Sequence, residues 1–211
     1  MSARAYLARA RLVPVVTIDD AARAADLSCA LGDAGIRCAE VTLRTPAAWD
    51  AITEMVAVAD ETGVDVGVGT VLSADEVTRA HAAGAHFIVS PGFDPATVAR
   101  AHDLGLACLP GVATASEAMA AQRAGCDTVK VFPAGLLGGV DYIDALSAPL
   151  VDLGFVPSGG VNPTTAAGYL AHRAVPAVSG SWMVRRDDIA KGRFDTIRAA
   201  SFEAAALVGL A

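Results

Sequence analysis

The feature that most restricts the fold is a unit that recurs along the chain: a helical segment, a glycine and then a short apolar run. The glycines of this unit are Gly35, Gly63, Gly84, Gly105, Gly125 and Gly154. A glycine just beyond a helix readily adopts the left-handed conformation that ends it. The apolar runs do not alternate with polar residues, which predicts strands that are buried on both faces.

With one further run near each end, the pattern predicts eight strands. They are residues 12–18, 36–41, 64–68, 86–89, 106–109, 128–131, 155–157 and 175–179. Strands that alternate with helices predict a parallel sheet, either doubly wound or closed. The even repetition favours the closed form, a (β/α)8 TIM barrel. No linker or change of composition divides the chain, so we expect a single domain over residues 1–211.

The helices between these strands carry start signals. Ser73 and Thr114 are each followed three residues later by Glu, which is the pattern of a capping box. Pro46, Pro95 and Pro163 are placed near helix starts, where a missing N–H has little cost.

Composition excludes several classes of function. Hydrophobic residues make up 54% of the chain and charged residues 18%, which is enough for a packed core. The formal net charge is −7 and there is no basic run, which argues against binding to nucleic acid. No stretch approaches the roughly 20 apolar residues of a membrane span.

The cellular location is predicted from the start of the chain and from its cysteines. Residues 1–11 lack the apolar core of a signal peptide, so we expect a cytoplasmic protein. The cysteines show no C-x-x-C pairing and are interpreted as reduced residues that pack in apolar surroundings. They are Cys29, Cys38, Cys108 and Cys126.

In a TIM barrel, functional groups collect at the carboxyl ends of the strands. These ends carry Glu40, Thr70, Ser90, Pro91, Pro110, Gly111, Lys130, Ser158, Gly159, Gly160, Ser179, Gly180 and Ser181. We interpret this set as the candidate active site.

Lys130 is the most informative member of the set. Of the 16 Lys and Arg residues, only Lys130 and Lys191 are lysines, and Lys130 lies within an apolar strand. A buried ammonium group is costly unless it is paired or functional. Lys130 is therefore either a structural ion-pair partner or a nucleophilic amine, a role that desolvation favours in Lys and not in Arg.

Glu40 and Arg44 extend this candidate site. A carboxylate at a buried strand end is a candidate general base, so Glu40 is predicted to transfer protons. Arg44 offers a bidentate partner for a substrate carboxylate. The alternative is a purely structural ion pair of Glu40 with Arg44 or with Lys130.

Two glycine-containing turns follow the last two predicted strands, at Ser158-Gly159-Gly160 and at Ser179-Gly180-Ser181. Backbone N–H groups in such turns attract anions, and barrels often bind phosphate at these two loops. The alternative is that both are ordinary tight turns. The histidines and acidic residues show no metal-ligand spacing, so we expect no metal.

Seven motifs in order give the chain a family resemblance. They occupy residues 40–46 (Glu-Val-Thr-Leu-Arg-Thr-Pro), 66–72, 88–92, 109–114, 129–134 (Val-Lys-Val-Phe-Pro-Ala), 157–161 and 179–182. With these motifs the chain resembles the 2-keto-3-deoxy-6-phosphogluconate (KDPG) aldolases, also called 4-hydroxy-2-oxoglutarate (KHG) aldolases. The resemblance extends from about residue 13 to residue 188.

The resemblance implies a class I aldolase that needs no cofactor and works as a homotrimer in Entner–Doudoroff metabolism. It implies that Lys130 forms the Schiff base and that Glu40 transfers protons. It further implies the substrate contacts: Arg44 and Thr70 for the pyruvate carboxylate, Phe132 and Pro91 for the pocket wall, Ser158 for a substrate hydroxyl, and Gly159, Gly160 and Ser181 for the phosphate. The partners implied are a 2-keto acid, pyruvate and a phosphorylated aldehyde.

The chain departs from the family pattern in the part that would contact the aldehyde. Thr17 stands where many relatives carry a basic residue, and Ser158 where many carry Thr. A related aldolase for the 6-phosphogalactonate epimer, or for an unphosphorylated 4-hydroxy-2-oxo acid, is therefore an alternative. A phosphosugar epimerase is a further alternative, but it would need its own acid/base pair, commonly with a metal site, and the sequence shows no such cluster. A non-catalytic phosphate-binding barrel would leave Lys130 and Glu40 without an explanation.

Overall fold

The computed structural model describes residues 3–210. The first two residues and the last residue of the predicted domain, 1, 2 and 211, lie outside the described residues. The strands are β1 (Leu12–Val16), β2 (Cys38–Thr42), β3 (Asp65–Gly69), β4 (Phe87–Val89), β5 (Ala107–Leu109), β6 (Gly111–Val112), β7 (Thr128–Val131), β8 (Gly154–Pro157) and β9 (Val178–Gly180). Every pairing between them is parallel.

Helices alternate with these strands along the chain. They are α1 (Ala3–Ala10), α2 (Ala24–Asp33), α3 (Ala48–Ala57), α4 (Ala59–Thr62), α5 (Ala74–Ala82), α6 (Pro95–Asp103), α7 (Ala115–Arg123), α8 (Gly139–Ser147), α9 (Pro163–Leu170), α10 (Arg186–Ala190) and α11 (Phe194–Leu207). A short 3-10 helix spans Ala21–Arg23. Among the described residues, no helix has the length and apolar character needed to cross a membrane.

The strands close into a barrel through two junctions. One sheet has the order β5-β4-β3-β2-β1-β9 and the other has the order β6-β7-β8. Pro110 separates β5 from β6, which are two halves of one barrel strand: β5 pairs with β4, and β6 pairs with β7. A parallel bridge between Ser158 and Ser179 joins β8 to β9. The eight barrel strands confirm the predicted (β/α)8 TIM barrel.

The predicted helix signals are present in the structure. Ser73 and Thr114 accept hydrogen bonds from the backbone N–H groups of Glu76 and Glu117, at 3.2 and 3.3 Å. Pro95 and Pro163 are the first residues of α6 and α9, whereas Pro46 precedes α3 by two residues. The left-handed backbone is confirmed at five of the repeated glycines, namely Gly35, Gly63, Gly84, Gly105 and Gly125.

Gly154 is an exception to the repeat. It is the first residue of β8 and does not adopt the left-handed conformation. It pairs in register with Thr128, and a Cβ atom on Gly154 would lie 2.9 Å from the Thr128 hydroxyl. This glycine therefore permits close strand packing. The last strand begins at Val178, three residues later than predicted.

The cysteines agree with the prediction in part. All four are free. Cys38, Cys108 and Cys126 are buried, and burial raises the pKa of the Cys38 and Cys108 thiols to about 12, so they remain protonated and unreactive. Cys29 is exposed on α2, so its interpretation as a packing residue is wrong.

Helix α1, which the sequence analysis did not predict, covers the amino-terminal end of the barrel. Leu7 and Ala10 pack in one apolar cluster with Val13, Phe87 and Leu109 of the barrel interior. This cluster fills the half of the barrel interior next to α1, which we call the lower half; the upper half lies at the carboxyl ends of the strands. The polar side chains of the interior are consequently concentrated at the carboxyl ends of the strands.

Two glycines of β3 leave room inside the barrel for larger neighbours. A Cβ atom on Gly67 would lie 2.2 Å from the Phe87 ring, and a Cβ atom on Gly69 would lie 2.2 Å from Glu40 Oε1. Real Cβ atoms do not approach other heavy atoms this closely. A residue with a side chain at position 67 or 69 would therefore overlap Phe87 or Glu40.

We expect Gly67→Ala to destabilise the protein by about 1–3 kcal/mol, because the Phe87 ring would have to move within a packed core. Gly168 is the matched control, since a Cβ atom there meets no heavy atom within 4 Å and the residue lies within α9. Gly168→Ala should leave the free energy of unfolding unchanged or raise it by up to about 1 kcal/mol. Urea denaturation measures both, and equal values for the two variants would contradict this packing account.

Candidate active site

The centre of the candidate site is an ion pair inside the barrel. Lys130 lies on β7, between Gly111 of β6 and Val156 of β8 in register. Glu40 lies on β2 across the barrel interior. Lys130 Nζ is 3.3 Å from Glu40 Oε1, and the two side chains are only 5% and 1% exposed. The structure brings together the two residues that the sequence analysis singled out.

The second oxygen of the Glu40 carboxylate has no partner. Oε2 is buried and accepts no hydrogen bond from any residue between 3 and 210. A buried carboxylate oxygen without a donor is unfavourable by roughly 1–3 kcal/mol or more. Glu40 is thus placed to accept a proton or a hydrogen bond from a bound molecule.

Arg44 and Thr70 form a second polar group at the rim. Arg44 Nε donates a hydrogen bond to Thr70 Oγ1 at 3.3 Å. Thr70 has a φ of 62°, which is the left-handed region. A β-branched residue rarely adopts this conformation, and the strain costs of order 1–3 kcal/mol. This backbone conformation, although strained, places the Thr70 hydroxyl next to the Arg44 guanidinium group.

A cavity of about 140 Å³ opens beside these groups. It is lined by Val15, Arg44, Lys130, Phe132, Ser158, Gly159, Gly160, Val161, Gly180 and Ser181. The Phe132 ring centroid is 5.3 Å from Lys130 Nζ. Gly159 and Gly160 have φ values of 82° and 85°, and a Cβ atom on Gly159 would lie 3.2 Å from the Phe132 ring. The glycine turn therefore lies directly against the pocket wall.

Seven of the ten predicted site residues line this cavity. Of the other three, Glu40 is buried against Lys130, and Thr70 reaches the cavity through its bond to Arg44. Pro91 does not line it; a Cβ atom on Gly111, the register neighbour of Lys130, would lie 2.1 Å from the Pro91 carbonyl oxygen. Pro91 therefore lies at the same rim, next to the strand beside Lys130.

The sequence analysis missed Val15 and Val161 as parts of the wall, whereas it included Gly180 in the candidate set. Val15 pairs in register with Glu40 and shares an inward face with Val13, so the alternation of β1 carries this information. Gly180 is required for space, because a Cβ atom there would lie 2.2 Å from the Trp182 ring.

Comparison with known proteins establishes the family. A family model described as KDPG and KHG aldolase matches residues 4–200. The chain belongs to this aldolase family. The family resemblance inferred from the seven motifs is thereby confirmed, and the chain is a lyase.

Relatives of this aldolase match over nearly the whole chain. The 2-dehydro-3-deoxy-phosphogluconate aldolase of Treponema pallidum is 43% identical, over 97% of this chain and 96% of the relative. The KHG/KDPG aldolase of Escherichia coli K12 is 35% identical, over 96% and 94%. A solved KDPG aldolase from Legionella pneumophila matches with a TM-score of 0.91 at 31% identity, over 96% of this chain and 97% of that one. That structure contains pyruvate captured at low pH as a covalent carbinolamine intermediate.

We expect Thr70→Gly to separate stability from substrate affinity. The variant relieves the left-handed strain, so the free energy of unfolding should be no lower than that of the wild type. Loss of the hydroxyl beside Arg44 should raise the KM for a 2-keto acid roughly three- to tenfold. Steady-state kinetics and urea denaturation measure the two effects.

Arg11 is the matched control, because it also has a positive φ, of 55°, and precedes β1 at the opposite end of the barrel. Arg11→Gly should leave KM unchanged. A Thr70→Gly variant that is less stable but has an unchanged KM would show that Thr70 is only a turn residue.

Proposed function

We propose that this aldolase works through a Schiff base on Lys130. It cleaves KDPG to pyruvate and glyceraldehyde 3-phosphate, and KHG to pyruvate and glyoxylate. The observation that supports the mechanism is the position of Lys130: a buried amine at the wall of a cavity, 3.3 Å from a carboxylate that keeps one oxygen unpartnered.

The first step forms the covalent bond. The neutral Lys130 amine attacks the C2 carbonyl carbon of the 2-keto acid and gives a carbinolamine, as captured in the Legionella enzyme. The adjacent Glu40 carboxylate takes the proton that the amine loses. Glu40 returns that proton to the C2 oxygen, and a second proton from solvent allows this oxygen to leave as water. The product is a protonated imine, which withdraws electrons from the substrate, and Glu40 is ionised again.

The second step breaks the C3–C4 bond. Glu40 accepts the proton of the C4 hydroxyl, and the electron pair of the C3–C4 bond moves into the imine to give an enamine. The aldehyde leaves. Protonated Glu40 returns a proton to C3, and hydrolysis of the imine releases pyruvate and the free Lys130 amine. The iminium group serves as the electron sink, so the reaction as proposed uses no metal or cofactor.

The remaining site residues position the substrate in this proposal. Arg44 and Thr70 hold the pyruvate carboxylate, which fits the guanidinium and hydroxyl groups that already bond each other at the rim. Phe132 and Pro91 shape the pocket, and Ser158 contacts a substrate hydroxyl. The backbone of Gly159 and Gly160 and the hydroxyl of Ser181 contact the phosphate.

Reduction with borohydride in the presence of pyruvate tests the mechanism. We expect a stable adduct on the peptide that contains Lys130, located by mass spectrometry. Glu40→Gln should slow cleavage strongly and still allow the adduct to form, because the nucleophile remains. Lys130→Ala should lose both the adduct and cleavage while circular dichroism shows a folded barrel.

Lys191 provides the control, because it is exposed on the surface and 4.0 Å from Asp187. Lys191→Ala should retain the adduct and wild-type turnover. An adduct that forms on Lys191 alone, or no adduct on the wild type, would rule out the Schiff base on Lys130.

We further propose a cytoplasmic homotrimer that acts in Entner–Doudoroff metabolism, as the family resemblance implies. The four free thiols fit a reducing compartment. Leu72 and Leu136 are large apolar side chains that are 65% and 88% exposed in the single chain, and we propose that contact with another chain buries Leu136.

Light scattering after size-exclusion chromatography should give three times the mass of one chain. Leu136→Asp should shift the species towards lower mass, because a carboxylate at position 136 would oppose burial of this side chain against another chain. A wild-type mass equal to one chain would contradict the trimer.

A further inference from the structure

A second cavity lies at the amino-terminal end of the barrel, next to α1 and away from the strand ends that carry Lys130. Its volume is about 500 Å³, against about 140 Å³ for the cavity beside Lys130. Its wall is formed by α1, by the segments that lead into β2 and β3, and by Leu210, which follows α11. A pocket of this size can enclose a drug-sized molecule.

A hydrogen bond between Tyr6 of α1 and Asp65 of β3 fixes one side of this cavity. The Tyr6 hydroxyl donates to Asp65 Oδ2 at 2.9 Å. Burial raises the pKa of Tyr6, so the phenol stays protonated and remains a donor. Asp65 Oδ1 is 3.5 Å from His86 Nε2. Both oxygens of the only acidic side chain in the described wall therefore already have a partner.

Two arginines reach the cavity from different elements. Arg9 follows Tyr6 by three positions on α1, so the two side chains lie on the same face of the helix. Arg37 precedes β2, and its carbonyl accepts a hydrogen bond from the Asp65 N–H at 2.9 Å. Arg37 Nη1 lies over Gly63, where a Cβ atom would be 2.8 Å from it. Arg9 and Arg37 both line the cavity.

Neither guanidinium group has a partner within the described part of the chain. Arg9 and Arg37 form no side-chain hydrogen bond and no ion pair there. Arg11, near the same end of the barrel, instead donates from Nε to the Val208 carbonyl at the end of α11. In a chain with a net charge of −7, the cavity thus combines two cations that no carboxylate neutralises. Such a wall favours an anionic ligand.

We propose that this cavity binds a phosphate monoester with an uncharged organic body of nucleoside size. A carboxylate has two oxygens and is matched by one guanidinium fork, whereas a phosphate monoester has three terminal oxygens and a charge near −2, which suits two forks. Ala10, Gly35 and Leu210 are the uncharged part of the wall that faces the organic body. The inference does not depend on the reaction at Lys130.

Binding of AMP, compared with adenosine, tests the proposal, because AMP is larger than the 140 Å³ cavity beside Lys130. Calorimetry should give a Kd for AMP of about 1 mM or lower and binding of adenosine at least about tenfold weaker. In amide NMR spectra, AMP should shift the signals of Gly35 and Gly63 and not those of Gly159 and Gly160. Absence of saturable binding, equal binding of adenosine, or shifts only at Gly159 and Gly160 would overturn the proposal.

Arg9→Gln and Arg37→Gln should each weaken AMP binding by about tenfold or more, because each removes one charged donor group. Both residues are exposed, so circular dichroism should show a folded barrel for either variant. Arg173→Gln is the matched control: Arg173 is exposed in the segment between α9 and β9, at the same end of the barrel, and does not line the cavity. It should leave the Kd for AMP unchanged, and an equal loss in all three variants would reduce the effect to general surface charge and refute the site.

Discussion

The buried ion pair between Lys130 and Glu40 is the interaction on which the rest of the site depends. Moving an ammonium and a carboxylate group out of water costs roughly several kcal/mol for each ion, and their attraction offsets this only when the geometry is good. The barrel provides that geometry by placing the two residues on β7 and β2, facing each other across the interior. Because Gly69 has no side chain, the Glu40 carboxylate can lie against β3.

The same barrel interior serves two opposite purposes. Its lower half is apolar and is covered by α1, which supplies packing energy. Its upper half carries polar groups that are incompletely satisfied, such as Glu40 Oε2, and a strained residue, Thr70. Such features reduce stability, and a structure retains them when the surrounding core over-determines their positions. Packing in the lower half therefore stabilises a fold in which Glu40 and Thr70 keep these unfavourable positions in the upper half.

Much of this arrangement could be predicted from the sequence because it is periodic. Glycines such as Gly63 and Gly105 mark helix ends at regular intervals, and the position of Lys130 at the end of an apolar run follows from the same count. Contacts between distant segments could not be predicted. The 2.2 Å approach that excludes a Cβ atom at Gly67 depends on Phe87 of β4 lying against β3, and the packing of the Glu40 carboxylate against Gly69 depends on the register of β2 and β3.

The left-handed glycines described for the fold all precede strands, whereas Lys130 and Glu40 lie towards the carboxyl ends of theirs. Determinants of folding and determinants of chemistry therefore occupy opposite ends of one molecule. Substitutions at the rim can accumulate without loss of the glycine turns that end the helices. Substitutions in one loop of the rim can change which aldehyde binds, while the scaffold that positions the Lys130 amine stays the same.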